Sequence, residues 1–222
     1  MMIMERNFDE ISDFLQREIV PQYDAFDAGH QRSHVLSVMA TSQHLAQYYP
    51  EVDRAMLLVA AAYHDLGLSH GRKEHHTWSA RILRADERLL RWFTPQEIEV
   101  MADAAEDHRA SLGHAPRTIY GRLVAESDRQ IDPATVIRRA LQYGLAHYPG
   151  LDREAQYRRL VQHMQEKYAP GGYLHLWIPE SDNAKRLAEL RKIIANPEQL
   201  RQAFEQEMLK INENDKKKVD FD

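Results

Sequence analysis

This chain reads as an all-α protein. Its 222 residues include only nine glycines and nine prolines, its apolar side chains recur at helical spacing, and no stretch alternates in the two-residue rhythm of a half-buried strand. The patterning predicts helices over about 4–19, 31–49, 51–66, 76–91, 95–109, 117–130, 133–146, 152–168, 182–195 and 197–211. Local chemistry punctuates them. Val35, Val38, Met39 and Leu45 form the apolar face of the second helix, and Pro50 stops it. The third carries the unbroken run Ala55–Tyr63 and ends at Gly67. Thr94-Pro95 is a cap followed by a first-turn proline, and Asp132-Pro133 repeats the device. The expected organisation is one domain over 1–212, with a chemical half at 28–132 and a helical cover at 133–212. The polar stretch 213–222 is expected to be a flexible tail.

Composition removes several function classes. There is no cysteine, so disulfides, thiolate metal sites and thiol nucleophiles are excluded. Net charge is −5 with 28% charged residues, and no basic stripe points to a nucleic-acid duplex. The longest apolar run, nine residues, falls far short of the ~20 a membrane span needs. The first ten residues are acidic and lack the apolar core of a secretory signal, so a cytoplasmic location is expected. The sequence contains no GxGxxG, GxxxxGK[ST], GxSxG or HExxH motif.

Histidine is the outlier. Nine of the 12 histidines fall between residues 30 and 114. The apolar run ends in "YHDLG", which sets His64 beside Asp65 where unpaired ionisable groups are costly to bury. His34 sits at the edge of the Val35/Val38 face. His108 continues the stripe of Ile98, Met101 and Ala105, and Asp128 shares a face with Tyr120, Val124 and Ile131. Taken singly, each has a plain structural reading as a hydrogen-bonded core or helix-end residue. Taken together, four buried ionisable sites without a shared partner would cost more than a domain's ~5–15 kcal/mol of stability. A shared divalent cation removes that cost, because carboxylate oxygens and neutral imidazole nitrogens both coordinate it.

The order His34 … His64-Asp65 … Asp128 resembles the H…HD…D signature of the HD-domain superfamily of metal-dependent phosphohydrolases. The flanks "GHQRSHVLSV", "AAAYHDLG", "HHTWSARIL", "AAEDHRAS" and "LVAESDRQID" resemble it too, over roughly residues 28–132. The resemblance implies a helical bundle in which His34, His64, Asp65 and Asp128 are metal ligands. It makes His75 and His108 the extra histidines of dinuclear members and sets His30 in the pocket wall. His76 is the neighbour that could exchange with His75. Asp132 is displaced from the usual second acidic position and is given no role. Asp65 and His64 are the expected catalytic pair, and Asp65 is the carboxylate able to bridge two ions. Lys73, Arg109 and Arg129 are phosphate-binding candidates by position, alongside His30.

The implied activity is hydrolysis of a phosphate ester in a nucleotide or other small phosphorylated metabolite. It would use one or two divalent ions (Mn, Fe, Mg, Co, Ni or Zn) per chain. Two other readings use the same residues: a di-iron oxygenase, and a non-catalytic nucleotide-binding module. A metal-storage bundle would favour Glu-x-x-His pairs, which the proposed ligands lack.

Overall fold

The computed structural model describes residues 6–27 and 29–219, with side chains described as far as Asn212. Among the described residues there are ten α-helices and no strand. In order they are α1 (Phe8–Phe14), α2 (Arg32–Leu45), α3 (Arg54–Tyr63), α4 (His75–Ala85), α5 (Pro95–Glu106), α6 (Ile119–Asp128), α7 (Pro133–His147), α8 (Arg153–Tyr168), α9 (Asn183–Ala195) and α10 (Pro197–Val219). Every helix expected from the sequence is present, and the differences lie at its ends. Residues 4 and 5 of the first expected helix lie outside the described residues. Its remainder is α1 followed by a π turn at Leu15–Ile19, and a 3-10 turn follows at Val20–Ala25. The helix expected over 76–91 stops at Ala85, because Asp86 turns its carboxylate to the Tyr63 hydroxyl (2.6 Å) and to the N–H of Arg88 (3.2 Å). Of the tail expected over 213–222, the structure describes only helical backbone as far as Val219.

Within the span read as one domain, packing sorts the chain into two compact units. The first comprises the residues up to Arg129 together with 176–181, and the second comprises 130–175 and the residues from 182 onward. The first unit has the larger core. The α3 run Ala55–Tyr63 is buried throughout and packs with Val35 and Val38 of α2, Met101 and Ala105 of α5, and Leu123 and Val124 of α6. Helix starts follow the sequence: Thr94 and Glu97 form a reciprocal capping box on α5, and Asp53 accepts the first N–H groups of α3. The result is a four-helix arrangement whose polar residues cluster where α2, α3, α5 and α6 end or begin.

The second unit buries Val136, Ile137 and Leu141 of α7 with Leu160 and Met164 of α8, Leu187 and Leu190 of α9, and Phe204 of α10. It also contains His163, which burial and the nearby Lys167 and Arg159 push down to about 4. An imidazole of the unfolded chain titrates near 6.5 (about the ordinary value), so the unfolded state takes up its proton first as pH falls. The stability His163 contributes is therefore fully present above about pH 6.5 and is lost as the pH falls towards 4. We expect Tm to fall less in His163→Gln than in wild type between about pH 7 and about pH 5. Equal falls in the two proteins would show that His163 titrates normally.

Candidate metal centre

The centre is built at the break after α3. His64 is fully buried and Asp65 is 3% exposed, so the pair at the end of the apolar run does not emerge into water. The helix yields at Asp65 (φ −112°, ψ 3°) and continues as a 3-10 turn over Leu66–His70. Gly67 lets α4 fold back onto this turn. A Cβ at Gly67 would stand 1.9 Å from the carbonyl oxygen of His75 and 2.5 Å from the amide of Ser79. The Ser79 hydroxyl then accepts the Gly67 N–H at 2.9 Å. The close approach delivers His75, the first residue of α4, over the His64–Asp65 turn.

All six residues proposed as ligands from the sequence come together, in two groups that share Asp65. In the first, His34 Nε2 and His64 Nε2 are 3.3 Å apart, and they lie 3.4 and 3.2 Å from Asp65 Oδ2. Asp128 Oδ1 closes this group, 3.2 Å from His34 Nε2 and 3.8 Å from His64 Nε2. In the second, His75 Nε2 and His108 Nε2 are 3.1 Å apart, and each is 3.4 Å from Asp65 Oδ1. One carboxylate oxygen thus serves each group.

These distances fit a divalent ion. Donors held about 2.1 Å from an ion are about 3.0 Å apart at right angles and about 3.4 Å apart at tetrahedral angles. The tautomers fit as well. His64, His75 and His108 each donate Nδ1–H to the carbonyl three residues back, on Ala61 (2.8 Å), Arg72 (2.8 Å) and Ala105 (2.6 Å). A carbonyl can only accept, so each neutral ring turns a bare Nε2 lone pair to the centre. Two such lone pairs facing each other at 3.1 Å, on His75 and His108, repel unless a positive charge lies between them. His34 is the exception: its Nδ1 is buried with no hydrogen-bond partner among the described residues.

The electrostatics show the same demand for charge. Burial acts to raise the pKa of Asp65 and Asp128, yet the surrounding imidazoles hold both well below the ordinary carboxylate range. Burial acts to lower His34, but hydrogen bonds to Asp128 and Asp65 lift it to about 9. His108 is raised in the same way by Asp65. His75 is pushed down to about 4 by burial and by the neighbouring His108. The two carboxylates call for positive charge, which protons supply on some of the imidazoles and a divalent cation would supply at the centre of both groups.

The remaining candidates lie around this cluster. The His30 ring meets the His34 ring edge-on at 5.7 Å and holds Asp27 at 2.8 Å. Lys73 is exposed on the loop before α4. Arg109 bonds the Lys73 carbonyl, His76 Nδ1 (3.3 Å) and the Ser111 hydroxyl (2.9 Å), so its guanidinium joins the His108 loop to the His75 loop. His76 therefore faces Arg109, and His75 is the ring in the cluster. Arg129, directly after Asp128, is buried.

Sequence reasoning passed over four supporting residues. Tyr23, fully buried, reaches the His64–Asp65 turn from the 3-10 turn after α1. Asp107, beside His108, receives Arg117 through its backbone N–H (2.6 Å) and its guanidinium (2.8 Å). Ser79 braces Gly67. Glu126, two residues before Asp128, accepts the N–H of Trp177 at 2.7 Å and binds the Ser181 hydroxyl. Ser79, Asp107 and Glu126 lie inside the quoted flanks "HHTWSARIL", "AAEDHRAS" and "LVAESDRQID", whereas Tyr23 lies in none.

The family model described as HD domain matches residues 32–130, which include all six clustered residues. No curated protein and no solved structure matches the chain.

Proposed function

The chain carries an HD domain at residues 32–130, and on that footing we propose that it is a metal-dependent phosphohydrolase acting on a nucleotide or other small phosphorylated metabolite. The observation that carries this reading is the sharing of Asp65, one oxygen facing the His34/His64 pair and the other facing the His75/His108 pair.

In this reading His34, His64, Asp65 and Asp128 hold one ion, and Asp65, His75 and His108 hold a second. A bound divalent ion supplies Lewis acidity towards phosphoryl oxygen and lowers the pKa of a water it holds towards ~7. The chain's own residues do the rest. The Nδ1–carbonyl bonds of His64, His75 and His108 fix the ring orientations before substrate arrives. Asp65 and Asp128 supply negative charge that favours cations at the centre. Lys73, Arg109 and Arg129, with His30, are the groups assigned to the substrate. Cations at these positions offset the charge on phosphoryl oxygens.

The test is a panel of nucleotides and phosphorylated metabolites assayed with Mn²⁺, Mg²⁺, Co²⁺ and Fe²⁺ in turn. Release of phosphate or pyrophosphate from at least one supports the proposal, and none across the panel overturns it. An oxo-bridged di-iron absorption in aerobically purified protein would instead favour the oxygenase reading.

Two physical measurements accompany the assay. Elemental analysis should give about two ions per wild-type chain and about one in His75→Ala/His108→Ala. One ion in both proteins would leave a mononuclear site. Metal at about 100 times its Kd should stabilise the fold by about 2.7 kcal/mol. For a chain of this size that raises Tm by roughly 5–10 °C over the chelated protein. An unchanged Tm and metal content after exhaustive chelation would refute metal binding.

A further inference from the structure

We infer that Tyr23 is the positioning residue for Asp65, and that its hydroxyl sets the metal affinity of both halves of the centre at once. The inference rests on the reading of Asp65 as a shared ligand.

Tyr23 lies 42 residues before Asp65 in sequence and has no charge to contribute, yet it is among the largest fully buried side chains. Its hydroxyl sits at the α3 break. It donates to the carbonyl of Ala62 at 2.8 Å and accepts the backbone N–H of Asp65 at 3.3 Å. A continuing α-helix would direct the Asp65 N–H to the carbonyl of Ala61. Here that carbonyl accepts His64 Nδ1–H, and the Asp65 N–H points to Tyr23. One oxygen atom therefore serves a backbone acceptor before the break and a backbone donor after it. The Asp65 backbone, once held, sends its two carboxylate oxygens in different directions, one to each group. The Tyr23 ring also lies 6.4 Å from the His64 ring, which places the hydroxyl against the same turn. No other described side chain bonds the Asp65 backbone N–H.

The structure supplies its own control. Tyr63 is fully buried on the same helix, and its hydroxyl makes a 2.6 Å hydrogen bond to Asp86, away from the cluster. Tyr23→Phe and Tyr63→Phe each delete one oxygen and one set of hydrogen bonds while keeping the ring. A merely structural role for Tyr23 predicts that the two variants behave alike.

The experiment compares wild type, Tyr23→Phe and Tyr63→Phe as full chains. Mn²⁺ binding is titrated calorimetrically, and amide hydrogen exchange of residues 64–68 is followed in the chelated protein. Tyr23→Phe should weaken both classes of Mn²⁺ site by about 10–100-fold, the usual cost of losing a group that orients metal ligands. It should also speed exchange in the 64–68 segment, whereas Tyr63→Phe leaves affinity and that segment unchanged. Equal Mn²⁺ affinities in the two variants, or weakening of one site class alone, overturn the proposal. Failure of wild type to bind Mn²⁺ would be a failure of the metal reading. The exchange comparison in chelated protein then decides by itself whether Tyr23 holds the Asp65 backbone, and unchanged exchange in Tyr23→Phe rejects that too.

Discussion

Asp65→Ala is expected to remove the proposed phosphohydrolase activity and most of the bound metal while helical content is retained. Among the described residues Asp65 is the only carboxylate whose two oxygens face both imidazole pairs, so the substitution affects every proposed ion. Metal-based charge stabilisation is worth several kcal/mol in the transition state, and each ~1.4 kcal/mol is tenfold in rate. The expected loss in kcat/KM is therefore on the order of a thousandfold. The fold survives because the α3 helix that ends here is secured by its apolar run, which Asp65 does not join. The check is kcat/KM with elemental analysis and far-ultraviolet circular dichroism on one preparation. Activity within about tenfold of wild type would remove Asp65 from the mechanism.

Gly67→Ala should produce the largest loss of stability. The added methyl would meet the His75 carbonyl oxygen at 1.9 Å, the Ser79 amide at 2.5 Å and the His75 carbonyl carbon at 2.8 Å, all of them backbone atoms. No side-chain rotation relieves such a contact, so α4 must move away from the turn. Overpacking of this kind costs about 3 kcal/mol. That corresponds to a Tm lower by roughly 6–12 °C for a chain of this length. The displacement also carries His75 away from His108, so bound metal should fall towards about one ion per chain. Gly113→Ala is the control, since a Cβ there meets nothing within 4 Å and should leave Tm unchanged. A Gly67→Ala protein as stable as wild type would show that the α4 approach is looser than described.

The sequence made the helices and the gathering of the six residues legible for different reasons. Helices announce themselves through apolar spacing and caps, so Thr94, Asp132 and the Ala55–Tyr63 run set boundaries close to those observed. His34, His64, Asp65, His108 and Asp128 stood out because ionisable groups on apolar faces need a shared partner, whereas His75 was marked only by the family resemblance. What was not legible depends on contacts between segments distant in the chain. Gly67 reads locally as a helix stop, and only the return of α4 reveals it as the place where two backbones touch. Tyr23 reads as an ordinary aromatic between the first two expected helices, since nothing near it in sequence announces the Asp65 amide. Arg109 was read as a phosphate partner by position, and the structure shows its guanidinium joining two loops as well. The early end of the fourth expected helix was also hidden, because the Tyr63–Asp86 bond outweighs local propensity there.

The three Nδ1 bonds make the orientation of these rings tolerant of mutation at their acceptors. The acceptors for His64, His75 and His108 are main-chain oxygens of Ala61, Arg72 and Ala105. Every amino acid carries that oxygen, so no point mutation at those three positions can delete the group that orients the ring. A side-chain carboxylate in the same role would be one codon change from loss. The chain thus concentrates its vulnerability in the proposed ligands themselves and in the few residues that shape the backbone around them. His34, whose Nδ1 has no such bond among the described residues, is the proposed ligand whose setting depends most on its packing neighbours. Random mutagenesis scored for metal retention should find positions 61, 72 and 105 permissive to small residues and the surroundings of His34 intolerant.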